Sequence, residues 1–119
     1  MRNCKLNENG NNANIKISLL PEQEMRDLGF TDRREGYWYL HKNLGHNISF
    51  NLSVAKENTE DWRIDVLDEL FLQPYDYQFL MAEGIVNNVA KDVKAKVEQI
   101  MQMLVEKEIV TGYNKGDYI

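Results

Sequence analysis

The sequence predicts an α+β fold: a three-stranded antiparallel meander covered by one long C-terminal helix. Three observations predict it. Segments at about 37–42, 47–55 and 62–67 are rich in β-formers and largely alternate apolar with polar residues. Val86, Ala90, Val93, Val97, Ile100 and Leu104 recur at spacings of four and three, one apolar stripe on a helix spanning about 87–106. Nine of the twelve aromatic residues fall within 36–80, which places the core there.

Residues 1–14 contain six asparagines and few apolar groups. Such a segment has little burial to offset its ordering entropy, so it is expected to be a mobile tail ahead of a single domain at 15–119. Ile15, Ile17 and Leu19 alternate with Lys16 and Ser18, a short strand or extended segment. Pro21 opens a short helix at 21–28, with Glu22 and Glu24 suited to its positive end and Gly29 placed to stop it.

The polar run 31–36 reads as a loop before the first meander strand. Asn43, Gly45 and Asn47 supply turn chemistry between the first two strands. In the second, Ile48, Phe50, Leu52 and Val54 share one face, and Ser49, Asn51 and Ser53 the other. In the third, Trp62, Ile64 and Val66 alternate with Arg63 and Asp65. Clean alternation means one covered face and one wet face. If Trp38 and Leu40 face the core, Tyr37, Tyr39 and His41 face outward beside Asn51, Ser53, Arg63 and Asp65; the alternative is that Tyr37 and Tyr39 face inward. Residues 68–73 fit either a continued strand or an irregular crossing. Pro74 breaks the pattern, and a short helix is expected at 75–83.

The net charge of −5 is unevenly spread. Residues 57–83 hold eight acids against Arg63, a balance of −7, and the rest of the chain sums to +2. No basic patch is present, so direct nucleic-acid binding is not expected. The bland reading of the acidic segment is a solvated face. The functional reading is a partner surface formed by Asp61, Asp65, Asp68, Glu69, Tyr75, Asp76 and Tyr77.

Cys4 is the only cysteine, which suits a reducing compartment, and no segment is long and apolar enough to span a membrane. A cytoplasmic location is the expectation. His41 and His46 lack the further ligands a zinc site needs. The glycines are scattered singly, with no phosphate-binding loop and no dinucleotide fingerprint. No cofactor or metal site is predicted.

These features point to a small non-enzymatic protein-interaction module whose partner the sequence does not identify. An acidic mimic of nucleic acid, of the kind phages and mobile elements direct at DNA- or RNA-binding enzymes, is an alternative. A carboxylate-based metal-dependent enzyme is another, if the chain bends after Leu67 so that Asp65, Asp68 and Glu69 converge. The helical stripe could also serve as a homodimer seam.

Overall fold

A computed structural model describes residues 6–82, 84 and 88–119. The chain runs β1 (Lys16–Ile17), α1 (Glu22–Asp27), β2 (Tyr37–Asn43), β3 (Ile48–Ala55), β4 (Trp62–Asp68), β5 (Gln73–Pro74), α2 (Tyr77–Ala82), α3 (Asn88–Glu106) and β6 (Val110–Thr111). The predicted meander is present as β2, β3 and β4. Two features exceed the prediction: β5 extends the antiparallel sheet to the order β2-β3-β4-β5, and β6 pairs with β1, the short extended segment, in a separate ribbon.

The register follows the alternation. Trp38 sits opposite Val54, Leu40 opposite Leu52, and Leu52 opposite Ile64. These residues form the covered face, and all are buried. Val93, Val97, Met101 and Leu104 of α3 are fully buried in the same apolar cluster. Met101 therefore lies on the helix's core side, whereas Ile100 is only half-buried. Val86, also assigned to the stripe, lies outside the described residues. Because the stripe is consumed by the chain's own core, a dimer through it would require that core to open.

Both helix ends that meet the core close with the same hydrogen-bond pair. After α1, Gly29 (φ +103°) donates to the Arg26 carbonyl at 3.0 Å and Phe30 to the Met25 carbonyl at 3.1 Å. After α3, Glu108 and Ile109 donate to Val105 and Leu104, each at 3.0 Å. Here a glutamate, not a glycine, occupies the left-handed position, with φ +63°. Beyond β6 the backbone passes so close to Asn14 that a Cβ on Gly112 would lie 1.9 Å from the Asn14 carbonyl oxygen.

In the asparagine-rich segment, expected from composition to be a mobile tail, the described residues have specific hydrogen-bond partners. Residues 1–5 lie outside the described residues, but 6–14 fold against the exposed edge of β4. The Asn11 amide behaves as a one-residue strand: its Nδ2 donates to the Ile64 carbonyl at 2.8 Å, and its Oδ1 accepts the Ile64 N–H at 3.2 Å. Asn9 Nδ2 donates to the Trp62 carbonyl at 2.6 Å. Asn12 Nδ2 donates to the Tyr118 carbonyl at 3.0 Å, tying the segment to the C-terminal residues. Asn11 and Asn12 are buried. Apolar burial was the wrong quantity to count here, because these side chains satisfy backbone groups that would otherwise be buried without partners.

Candidate functional site

The acids assigned to a partner surface do not converge; each is engaged locally. Asp61 is exposed in the loop before β4 and accepts the Tyr37 hydroxyl at 2.7 Å. Asp65 points outward from β4 and pairs with Arg63 Nε at 3.0 Å. Asp68 lies three residues on, opposite Ile48, on the other face of the strand. Its carboxylate accepts the backbone N–H groups of Leu70 and Phe71 at 3.0 and 3.2 Å. Asp76 caps α2 by accepting the Phe79 N–H at 2.9 Å. Tyr75 is half-buried, with its hydroxyl enclosed and unpartnered among the described residues. Burial, and then the Asp68 charge, raise its pKa.

Tyr77 is a core residue, 5% exposed, and leaves the candidate surface. Alternation carries β4 straight through Leu67, so the bend that a carboxylate site would need is absent. Among the described residues, no three His, Cys, Asp or Glu side chains are grouped to hold a metal ion. His46 lies apart from His41, 3.0 Å from Asp92 at the start of α3.

Two features emerge instead. The first is an apolar ridge. The ambiguous segment 68–73 is a tight hairpin between β4 and β5. Its tip exposes Leu70, Phe71 and Leu72 at 66%, 69% and 76% of their surfaces, with Phe79 of α2 exposed at 54%. Leu72 takes φ +55°, a left-handed conformation unfavourable for a branched side chain. Glu69 and Asp68 precede the ridge, and Asp76 follows it. The signal in the sequence was three consecutive apolar residues that break the alternation just before a proline.

The second feature is a polar cradle on the outer face of the sheet. With Trp38 and Leu40 in the core, Tyr39 and His41 project outward, with Tyr39 opposite Ser53 and His41 opposite Asn51. The face is not uniformly wet, because Ser49 and Asn51 are 1% and 9% exposed. They are held in a directional network. Asn51 Oδ1 accepts the Tyr39 hydroxyl at 2.6 Å and lies 2.8 Å from His41 Nδ1. Asn51 Nδ2 donates to Ser49 Oγ at 3.0 Å, and the Ser49 hydroxyl donates to Glu69 Oε1 at 2.6 Å.

An amide oxygen only accepts, so Nδ1 of neutral His41 carries the proton and Nε2 presents a lone pair. Burial, with the charges of Glu69 and Asp65, raises the Tyr39 pKa and keeps the phenol as donor. Around this network a groove of about 450 Å³ is lined by Gly29, Thr31, Arg33, Leu67 and Glu69 with Tyr39, His41 and Asn51. Composition and periodicity pointed to a wet face; the cradle depends on Glu69, just past β4, reaching Ser49 on the neighbouring strand β3.

No family model and no curated protein matches the chain. A solved structure with a similar fold is that of a DUF1831-family protein from Lactobacillus plantarum. The two share 14% identity over 81% of this chain and 82% of the other, with a TM-score of 0.61. At that identity the likeness shows the fold alone. It supports the α+β architecture of an antiparallel sheet with a C-terminal helix.

Proposed function

We propose that the protein is a non-enzymatic interaction module that seats its 70–72 ridge in an apolar groove, rimmed by basic side chains, on a partner protein. The observation that carries this reading is the exposure of Leu70, Phe71 and Leu72 side by side on a hairpin tip. Scattered exposed apolar residues are ordinary, but a contiguous ridge on a strained turn calls for a contact. Burying each such side chain is worth about 1.5–3 kcal/mol, enough for the ridge to anchor a standard interface. The flanking carboxylates of Asp68, Glu69 and Asp76 supply the charge that a basic rim complements, and they would speed encounter at low salt.

Affinity capture with the unmodified protein and with a Phe71→Asp, Leu72→Asp variant tests the reading. A partner held by the former and lost by the latter, with urea stability unchanged within about 0.5 kcal/mol, is the expected result. A partner retained equally by the variant rejects the ridge as the contact. Concentration-dependent self-association abolished by the same variant would make the occupant a second copy of this chain.

A further inference from the structure

The outer-face cradle is separate chemistry from the ridge; of its members the interaction reading draws only on the charge of Glu69. Its buried members explain one another but leave functional atoms facing the groove. Asn51 fixes the His41 ring, which leaves Nε2 as an acceptor without a hydrogen bond among the described residues. Ser49 occupies one oxygen of Glu69, which leaves the second oxygen and the negative charge. Arg33, exposed at the rim, makes no ion pair among the described residues and offers N–H donors and a positive charge. Leu67 adds an apolar side chain to the groove lining.

We propose that this cradle binds a small dipolar molecule. An N–H-donating cationic group of the ligand would lie at Glu69 and His41 Nε2. Its anionic group, carboxylate or phosphate, would lie at Arg33. Arg33 disfavours a simple cation and Glu69 a simple anion, so a molecule carrying both charges is selected over either alone. The groove, about 450 Å³, is ample for such a molecule. The network holds the acceptor groups before binding, so little ordering is needed when the ligand arrives.

The test is a titration of the isotopically labelled full chain, followed by the His41 ring and Asn51 side-chain amide resonances. The probes are 4-aminobutyrate and 2-aminoethyl phosphate, with butylammonium and butyrate as single-ended controls. At least one dipolar probe should bind saturably and about tenfold or more tighter than both controls; which one wins assigns the anion as carboxylate or phosphate. Glu69→Gln keeps an oxygen to accept the Ser49 hydroxyl while removing the charge, and Arg33→Gln alters an exposed side chain. Each should abolish the advantage of the dipolar probe without changing thermal stability, which separates a ligand contact from a structural role. Dipolar probes that bind no better than the controls, or an advantage that survives both substitutions, would overturn the proposal. Substitution of Phe71 and Leu72 should leave the titration unchanged, so its outcome is independent of the ridge.

Discussion

Replacing Asn11 with alanine tests the most unusual structural element of this chain. Asn11 is 5% exposed and pairs through both amide atoms with the backbone of Ile64, itself buried in β4. Each hydrogen bond contributes about 1 kcal/mol net, and each buried group left without a partner costs about 1–3 kcal/mol. Alanine removes two bonds and orphans the N–H and the carbonyl of one residue. Because the segment lies at the sheet edge, water recovers part of the loss, leaving about 2–4 kcal/mol. Asn9→Ala removes a single, part-buried bond to the Trp62 carbonyl and should cost about 1 kcal/mol.

Urea unfolding with a common slope measures both losses, and hydrogen exchange locates them. The Ile64 amide should lose protection by about 30-fold or more, the equivalent of 2 kcal/mol. Amides in the β2–β3 ladder should change only through global stability. If Asn11→Ala costs less than about 0.5 kcal/mol and Ile64 stays protected, the side-chain strand is not a structural element and the account of the N-terminal segment fails.

Other outcomes follow from the same geometry. Glu108→Gly should stabilise the fold by about 0.5–1 kcal/mol in thermal unfolding, because it relieves the left-handed glutamate that closes α3. Gly112→Ala should destabilise by about 2 kcal/mol or more, since its Cβ meets the Asn14 carbonyl and its φ is +78°. Burial raises the pKa of Tyr77 and of Tyr113 above the ordinary 10.0, with the Glu98 charge adding to Tyr77 and the Glu98 hydrogen bond to Tyr113. In the pH range above 10.0 the unfolded chain then binds fewer protons than the folded one, so stability is full below that value and falls as pH rises. Phenolate absorbance from these two tyrosines should therefore appear together with the loss of circular dichroism; ionisation well ahead of unfolding would contradict their burial.

Local patterns carried most of the fold. Alternation along β3 and β4 grouped the side chains by face; for β2 it left two choices, and the structure decided that Trp38 and Leu40 face the core and Tyr39 and His41 the outer side. The three-and-four spacing located α3, and Gly29 marked the end of α1, because each of these depends on residues within a few positions of one another. The tertiary structure decided what distant segments do to these elements. Asn11 could be recognised as a strand substitute only once it met Ile64, 53 residues away. Tyr77 read as a surface tyrosine until packing placed it in the core. The run 70–72 read as ambiguous until the hairpin exposed it, because a short apolar run has the same pattern in a buried strand and in an exposed turn. Ser49 and Asn51 belong to the outer face by alternation alone. Their burial, and the cradle it creates, came from Tyr39, His41 and Glu69 closing over them, since hydrogen bonds across strands depend on register and reach that periodicity within one strand does not encode.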